Sequence, residues 1–476
     1  MSTTTRVRFA PSPTGSMHIG GLRSALFNYL YARHTEGTLV LRIEDTDRER
    51  LMPDAISHLT DSLSWLGLVP DEGPEHPNPA YEPYVQSERL RLYTQYAKQL
   101  LTNSLAYKDF STPERLTKLR QEAQVEKRPF VFTKKLAQLE PEHDGDPYVI
   151  RFQIQPGADV TWEDAVWGTQ SWQRAVLDDF VAIKSDGFPT YNFANVVDDH
   201  LMAISHVFRG SEFLATTPKN LLVYEALGWK PPVFVHLPQV LGADKAKLSK
   251  RHGAKSALEY RDAGYLPEAV LNFLATLGFN DGTTQEIYTR KELIKAFALD
   301  RIQSSPAVFD AERLDWMNGL YIRQLSLEEL AKRAEAFWPA SAETAAPIYK
   351  KEVLGLVQER LKFLAELPGL TEFFFTDPEP EATLLTKQID RVQAHNLIEK
   401  AQAVLEGSDF NHDDLEKRLR GLVEQESLKA GQLFGLIRVA ITGKTAAPGL
   451  FETLHTLGQE RSLQRLQAAA KVLADK

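Results

Sequence analysis

The fold of this chain is decided by the stretch Phe9-Ala-Pro-Ser-Pro-Thr-Gly-Ser-Met-His18-Ile-Gly-Gly21. Polar and apolar residues alternate over 6–10 just before it, a pattern that predicts a short strand. Apolar residues recur at helical spacing after it and predict a helix ending near Gly37; they are Leu22, Ala25, Leu26, Tyr29 and Leu30. The apolar run 38–43 predicts a second buried strand. Residues 6–43 therefore form a βαβ unit whose two strands are parallel.

The loop between this strand and this helix has the composition of a phosphate-binding turn. Its three glycines let the backbone approach a ligand without an intervening Cβ atom; they are Gly15, Gly20 and Gly21. Free N–H groups at the start of the helix attract phosphate oxygens, and His18 adds a side-chain donor there. The loop matches neither G-x-G-x-x-G nor G-x-x-x-x-G-K-[ST], which argues against a dinucleotide-binding fold and against a P-loop. Taken alone, the loop is also consistent with an ordinary turn that carries a polar surface histidine.

A cationic segment lies far downstream, between Gly242 and Gly253. It holds four basic residues within 245–251, namely Lys245, Lys247, Lys250 and Arg251. Most runs of charge are solvated surface, and that interpretation stays open here. The alternative is a mobile loop whose lysines neutralise charge on a departing pyrophosphate. The two segments are complementary, because the first would hold a nucleotide and the second would stabilise its leaving group.

Four ordered motifs resemble those of class I aminoacyl-tRNA synthetases, in the form found in glutamyl-tRNA synthetases. They are Pro11-Ser-Pro-Thr-Gly-Ser-Met-His18-Ile-Gly-Gly21, Arg42-Ile-Glu-Asp-Thr-Asp47, Tyr191-Asn-Phe-Ala-Asn-Val-Val-Asp-Asp-His200 and Lys247-Leu-Ser-Lys250-Arg251. The resemblance covers most of the chain and is strongest to about Asn318. It implies an α/β fold, with a Rossmann-like catalytic domain and an inserted α+β domain that grips the acceptor end of tRNA. An all-α C-terminal region that reads the anticodon would follow.

The resemblance also implies roles for individual residues. The catalytic positions it implies are His18, Lys247 and Lys250. The ATP-binding positions are Pro11, Ser12, Gly15, His18, Gly20, Gly21, Glu212, Lys247, Leu248, Ser249, Lys250 and Arg251. The glutamate-binding positions are Arg8, Ser12, Glu44, Tyr191, Asn195 and Arg209. Among these, Glu44 would bind the ammonium group, while Arg8 and Arg209 would bind the side-chain carboxylate.

Two arginines bear on specificity. An unpaired buried guanidinium beside a neutral amide is costly, so Arg209 favours glutamate over glutamine as the substrate. By local resemblance, Arg360 occupies the place of an arginine with which some members of the family reject the glutamine anticodon. A surface salt bridge is the alternative role for Arg360. Whether tRNA(Gln) is also charged stays open at this stage.

The pattern along the chain predicts five segments and a linker-like stretch, and the resemblance implies the role of each segment. They are the first half of the catalytic domain at 1–106, the inserted domain at 107–186, the second catalytic half at 187–255, a helical stem-contact domain at 256–325, an all-helical anticodon-binding region at 326–476, and the linker-like stretch that follows 309–318. The helical periodicity of the last segment, interrupted by Pro and Gly, favours a glutamyl enzyme. A glutaminyl enzyme would be expected to carry β-barrels there.

Composition limits the other possibilities. The chain has 476 residues, a net charge of −9 and no cysteine, which excludes disulfides, thiol nucleophiles and cysteine-type zinc sites. The sequence has no long apolar run and no signal peptide, so we expect a cytoplasmic protein without a membrane partner. Zinc is not expected, although some bacterial relatives bind it in the segment after the first catalytic half, because 107–112 reads Tyr-Lys-Asp-Phe-Ser-Thr. The pair Asp198-Asp199 with His200 does not have the spacing of a metal site and predicts a structural role.

The expected substrates and partners are ATP with Mg²⁺ held mainly by its phosphates, L-glutamate, and tRNA(Glu), bound by a monomer. Two other classes of function remain possible. A nucleotidyltransferase of the same fold would have no need of a long helical C-terminal third. A non-catalytic RNA-binding paralogue should have lost His18 or Lys250, and both are present. The sequence does not indicate whether activation requires bound tRNA.

Overall fold

The computed structural model describes residues 4–15, 17–246 and 248–474, and for Lys250 it describes the backbone only. The chain divides into two compact units. One comprises Met1–Arg261 and Pro267–Ala311, and the other comprises Asp262–Leu266 and Glu312–Lys476. In the described part of the chain, no helix is both long and apolar enough to span a membrane.

The first unit is built on a six-stranded, mostly parallel sheet. In spatial order its strands are β2 (Thr38–Leu41), β1 (Arg6–Phe9), β8 (His206–Gly210), β9 (Val233–Leu237), β5 (Val160–Asp164) and β6 (Gly168–Trp172). All neighbouring pairs are parallel except the last, a β-hairpin. The predicted βαβ unit is confirmed, with Arg6 paired to Thr38 and Phe9 paired to Leu41. Parallel strands bring their carboxyl ends to one edge, where α/β proteins bind ligands.

The helix that joins β1 to β2 is α1 (Ile19–His34), and it is buried on most sides. The five apolar residues that predicted it are all buried. The helix ends at His34, and Gly37 follows shortly after. A Cβ atom on Gly37 would lie 2.5 Å from the carbonyl oxygen of Thr5, so only glycine lets β1 and β2 begin side by side.

The helices that follow agree closely with the predicted patterns. α2 (Ala55–Leu66) and α3 (Leu90–Thr102) are separated by the irregular connection expected from its prolines. The remaining helices of this unit are α4 (Pro113–Val125), α5 (Tyr191–Leu201), α6 (Thr217–Leu227), α7 (Ala257–Asp262, whose last residue belongs to the second unit), α8 (Pro267–Thr276) and α9 (Arg290–Ala296). The first unit also contains a two-stranded parallel ribbon of β10 (Val240–Leu241) and β11 (Ala307–Val308).

The inserted segment contains the predicted helix and strands, but one part of it joins the main sheet. Three of its strands form a separate antiparallel sheet, β3 (Ala106–Asp109), β4 (Val149–Phe152) and β7 (Val181–Ile183). The hairpin β5–β6, which lies within the predicted inserted domain 107–186, instead joins the main sheet. Asp164 pairs there with Phe234 of β9, and the Ala165 N–H donates to the Phe234 carbonyl at 2.9 Å. The prediction missed this because the pairing joins residues far apart in sequence.

The segment 256–325 contributes residues to both compact units. Most of the segment 256–325, predicted to be a separate stem-contact domain, belongs to the first compact unit, which extends to Ala311. The linker-like stretch expected after 309–318 is instead a continuous helix, α10 (Ala311–Gln324). Leu314, Met317 and Ile322 are buried on one side of α10, so this amphipathic segment has a core to pack against.

The second unit is all-helical in the part that the structure describes. After α10 it contains α11 (Leu327–Ala334), α12 (Pro347–Val357), α13 (Leu367–Thr371), α14 (Ala382–Leu385), α15 (Arg391–Glu406), α16 (His412–Gln425), α17 (Ala430–Thr442), α18 (Leu450–Leu457) and α19 (Gln459–Ala474). Its core is mainly leucine and isoleucine, contributed by α15, α17 and α19 among others. The expectation of an α-helical C-terminal region is confirmed.

Candidate active site

A cleft of about 1740 Å³ opens in the first unit at the carboxyl ends of β1, β2, β8 and β9. Its walls come from the loop after β1, the start of α1, the segment after β2 and the turns that follow β8 and β9. Many of the residues predicted to bind ligands line this one cleft. They are Arg8, Pro11, Ser12, Gly15, His18, Gly20, Gly21, Glu44, Tyr191, Arg209, Glu212, Leu248 and Ser249.

The loop after β1 is held against the chain that continues β2. The Glu44 N–H donates to the Pro11 carbonyl at 3.0 Å, and the Met52 N–H donates to the Pro13 carbonyl at 3.2 Å. Gly15 has φ +148°, a backbone conformation that side chains with a Cβ rarely adopt. These contacts fix the loop before the helix begins.

The N-terminus of α1 lies at the wall of this cleft, which His18, Gly20 and Gly21 line. Its N-cap is His18, whose side chain makes no capping hydrogen bond, and the first turn holds no acidic residue. Gly20 and Gly21 are exposed, and a Cβ atom on either would meet no atom within 4 Å. The space in front of the helix is therefore open, and its N–H groups and dipole suit an anion such as phosphate.

The floor of the cleft contains a buried network of opposite charges. The Arg8 Nε donates to Asp199 Oδ1 at 3.0 Å, and Arg42 Nη1 donates to the same oxygen at 2.7 Å. Arg42 Nη2 also donates to Glu44 Oε1 at 2.9 Å. Asp198 accepts from Arg89 Nε at 2.6 Å, and its other oxygen lies 3.8 Å from Arg42 Nε. Because each buried charge has a partner, the arrangement avoids the large cost of isolated buried ions.

The two carboxylates beside Arg42 differ in their tendency to ionise. Burial opposes ionisation of Asp199, but the guanidinium groups of Arg8 and Arg42 together hold its pKa below the ordinary value. Burial raises the pKa of Glu44, and the attraction of Arg42 and Arg8 offsets only part of that effect. Glu44 also lines the cleft, so a cationic ligand group would favour its ionised form.

Arg209, near the end of β8, has one edge fixed by the protein and the other free. Its Nε donates to His236 Nε2 at 3.0 Å, and its Nη2 donates to Thr217 Oγ1 at 2.8 Å. Within the described residues its Nη1 has no hydrogen-bond partner, and the side chain lines the cleft although only 6% of Arg209 is exposed. Its guanidinium carbon lies 5.5 Å from the ring centre of Phe213, and the Tyr191 ring lies 5.0 Å from that of Phe213. This geometry suits a single buried carboxylate.

The cationic segment is described only in part. The Asp244 carboxylate contacts His252 at 3.1 Å and Arg251 at 3.4 Å, while Leu248 and Ser249 line the cleft. Lys247 and the side chain of Lys250 lie outside the described residues. The predicted proximity of these lysines to His18 therefore stays a prediction.

Three predicted site residues are not on the cleft wall. Asn195 is buried beside Asn220, at 3.5 Å, and its Nδ2 has no partner among the described residues. The Arg251 side chain points toward Asp244. Arg360 is exposed in the second unit. Asn195 and Arg251 would need a rearrangement to touch a ligand in the cleft.

Asp198, Asp199 and His200, for which the sequence predicts a structural role, all contact other side chains. The two carboxylates bind arginines, and His200 stacks on Trp229 with ring centroids 3.8 Å apart. Within the described residues, no group of three or more His, Cys, Asp or Glu side chains is arranged to hold a metal ion.

The sequence interpretation assigned no role to Arg42, although it quoted the motif that contains it. A signal was available, because residues two apart in an extended segment lie on the same side, which would have placed Arg42 beside Glu44. The sequence interpretation also missed Thr217 and His236. No local pattern marks them, because they meet Arg209 only through tertiary packing.

Comparison with known proteins gives a consistent result. Residues 4–316 match the family model described as tRNA synthetases class I (E and Q), catalytic domain, and residues 329–470 match an anticodon binding domain. A glutamate–tRNA ligase of Dehalococcoides mccartyi is 45% identical, with 100% of this chain and 99% of the relative covered. One from Moorella thermoacetica is 42% identical, with 98% of each covered.

A solved structure is also similar along its whole length. The crystal structure of a glutamate tRNA ligase from Elizabethkingia meningosepticum, in complex with its amino acid, has a TM-score of 0.91 and 34% identity. The comparison covers 99% of this chain and 100% of that one.

Proposed function

The chain belongs to the class I tRNA synthetases of the glutamate and glutamine type, and from this premise we propose how its residues divide the work. It catalyses the ATP-dependent attachment of glutamate to tRNA. The observation that carries the assignment of roles is the single cleft, which joins the open N-terminus of α1 to the buried pair Glu44 and Arg209. The first feature suits a nucleotide phosphate, and the second suits an amino acid with an acidic side chain.

ATP is assigned to the part of the cleft next to α1. The N–H groups of the first turn would bind its phosphates, with His18 as an additional donor. Gly20 and Gly21 leave the space for this approach. Mg²⁺ would enter as part of the ATP substrate, coordinated mainly by phosphate oxygens, as is usual for this ion.

Glutamate is assigned to the deeper part of the cleft. The Glu44 carboxylate would accept hydrogen bonds from the substrate ammonium group. The free Nη1 of Arg209 would bind the side-chain carboxylate. Arg8 would assist through its Nη2, because its Nε and Nη1 already bind Asp199 and the Phe208 carbonyl. Tyr191 and Ser12 line the same region.

The reaction needs no nucleophile from the protein. The α-carboxylate of glutamate attacks the α-phosphorus of ATP, forming glutamyl-adenylate and releasing pyrophosphate. A terminal hydroxyl of tRNA then takes the glutamyl group and releases AMP, the 2′-hydroxyl if the class I pattern holds. Catalysis comes from positioning both substrates and from stabilising charge, to which Lys247 and Lys250 would contribute at the leaving pyrophosphate.

The remaining assignments concern RNA and cellular context. The inserted segment with β3, β4 and β7 would bind the acceptor end of tRNA(Glu), and the second unit would bind its anticodon. Exposed Arg360 is the candidate for rejecting the tRNA(Gln) anticodon. The protein would act as a monomer in the cytoplasm, where ATP and tRNA are available.

A charging assay tests the function and its specificity together. Purified protein is incubated with ATP and either glutamate or glutamine, in separate reactions with tRNA(Glu) and tRNA(Gln) transcripts. We expect charging only with glutamate; charging of tRNA(Gln) with glutamate would identify a non-discriminating enzyme. Failure to charge tRNA(Glu) would refute the assignment.

The amino-acid site is tested by Arg209→Ala. We expect a rise in the KM for glutamate of roughly 10- to 100-fold, as for a lost hydrogen bond to a charged group, with an unchanged KM for ATP. An unchanged KM for glutamate would reject the role of Arg209.

A further inference from the structure

Behind Arg209 lies a chain of buried polar groups that the proposed reaction does not use. His236 of β9 is fully buried, and its Nε2 faces the Nε of Arg209 at 3.0 Å. Its other ring nitrogen, Nδ1, lies 2.5 Å from Oδ2 of Asp164. Asp164 is the last residue of β5, so it reaches this position through the hairpin that joins the main sheet.

The chemistry of arginine fixes the proton on this histidine. The Nε of a guanidinium always carries hydrogen and cannot accept a hydrogen bond. His236 Nε2 must therefore be the acceptor, which leaves the imidazole proton on Nδ1, where it is donated to the Asp164 carboxylate. Carboxylates fix the tautomer of metal-bound histidines in the same way. The carboxylate accepts from one ring nitrogen, and the other ring nitrogen is left as the electron-pair donor.

Asp164 is itself held rigidly. Its Oδ1 accepts from the backbone N–H groups of Val166 and Trp167, both at 3.1 Å, in the turn of the hairpin. The Trp167 indole Nε1 donates to the His236 carbonyl at 2.9 Å. The hairpin thus holds both the Asp164 side chain and the His236 backbone.

We infer that Asp164 and His236 are positioning residues for glutamate selection. Asp164 fixes the tautomer and the position of the His236 ring, and His236 in turn holds the Nε edge of Arg209, so that the free Nη1 of Arg209 faces the substrate. Thr217 completes the arrangement, because its Oγ1 accepts from Arg209 Nη2 at 2.8 Å. This inference rests on the proposed role of Arg209. It extends glutamate selection to the hairpin β5–β6, which lies within the inserted domain 107–186 predicted from the sequence.

The variant Asp164→Asn tests the inference with almost no change in volume. The oxygen of the new amide must stay on the turn N–H groups, so its NH₂ group faces His236 Nδ1 and drives the ring proton to Nε2. Two donors then meet between His236 and Arg209. We expect the KM for glutamate to rise roughly tenfold or more, with the KM for ATP and the kcat at saturating glutamate changed less than about threefold. Glu163→Gln, which neutralises an exposed carboxylate on the same strand, is the matched control and should behave like the wild type.

A second background separates this effect from a loss of structure. In His236→Gln the side-chain amide oxygen can accept from Arg209 without help from Asp164, whereas His236→Leu offers no acceptor. We expect the KM for glutamate to be lower in His236→Gln than in His236→Leu, and Asp164→Asn to add less than about twofold in the His236→Gln background. This comparison of the two His236 variants also stands if Asp164→Asn fails to fold.

Three results would overturn the inference. The first is an unchanged KM for glutamate in Asp164→Asn, and the second is an equal rise in the KM values for glutamate and ATP. The third is an equal effect of Asp164→Asn on the KM for glutamate in the wild type and in His236→Gln. Arg209→Ala, assayed in parallel, identifies which idea has failed. If Arg209→Ala raises the KM for glutamate and Asp164→Asn does not, only the positioning role is wrong. If neither does, the proposed role of Arg209 is wrong as well.

Discussion

The replacement Glu44→Gln examines the part of the cleft assigned to the substrate ammonium group. Only 5% of Glu44 is exposed, and its Oε1 accepts from Arg42 Nη2 at 2.9 Å. In the variant the amide oxygen can keep that bond, so the new NH₂ group faces the ligand. A hydrogen bond between two charged groups is replaced by two donors facing each other.

The expected effect follows from the charge and the burial. A hydrogen bond to a charged group is worth about 1.5–3 kcal/mol, which corresponds to a rise in the KM for glutamate of roughly 10- to 150-fold. The fold should survive, because Arg42 keeps its contact with Asp199 at 2.7 Å. Breaking a buried ion pair outright costs about 3–5 kcal/mol, and this sets an upper limit for the loss of stability.

Aminoacylation of tRNA(Glu) at varied glutamate and ATP concentrations gives both KM values, and thermal unfolding reports the fold. Asp45→Asn is the matched control, because Asp45 is also buried but accepts from the Ser87 N–H instead of facing the cleft. We expect this control to keep the wild-type KM for glutamate. If Glu44→Gln folds normally and its KM for glutamate stays within about twofold of the wild-type value, Glu44 does not bind the ammonium group.

Three further predictions follow from the same structure. Gly21→Ala should leave the free energy of unfolding in chemical denaturation unchanged or up to about 1 kcal/mol higher, because the new methyl group meets no other atom. The same methyl group would occupy the open space assigned to ATP, so the KM for ATP should rise. Arg6 donates twice to Glu72 at 2.8 Å and, with Tyr84, lowers the pKa of Glu72 to about 2, so the free energy of unfolding should fall between about pH 4.5 and 2. In Glu72→Gln that acid-dependent loss should be smaller, and an identical pH profile would contradict the assignment. Lys250→Ala should slow pyrophosphate release in single-turnover activation far more than it weakens ATP binding, and equal effects would argue against a role at the leaving group.

Local patterns predicted the first βαβ unit because the signals that specify it are close together. Alternation in β1, helical spacing in α1 and a glycine after α1 all lie within residues 6–41. The turn between β1 and α1 was also predictable, since it depends on glycines and on the start of a helix. The amphipathic helices of the second unit were predicted for the same reason.

Pairings between distant segments could not be predicted in the same way. The sequence places β5 and β6 inside the insertion, and nothing in either strand indicates that β9 is the partner. The structure likewise brings His236 to Arg209, although both residues lie on strands whose patterns report only burial. The linker expected after 309–318 was wrong because a polar, partly exposed helix face resembles a connecting segment in composition.

The membership of the hairpin β5–β6 in the main sheet limits how this enzyme can be re-engineered. A chimaera that exchanges the whole stretch 107–186 with that of another synthetase would remove the last two strands of the catalytic sheet and replace Asp164 with a foreign residue. Its amino-acid selectivity would then change through Asp164 as well, although Asp164 does not line the cleft. Grafts intended to alter only RNA binding should therefore retain Val160–Trp172 from the host and exchange the flanking pieces around it.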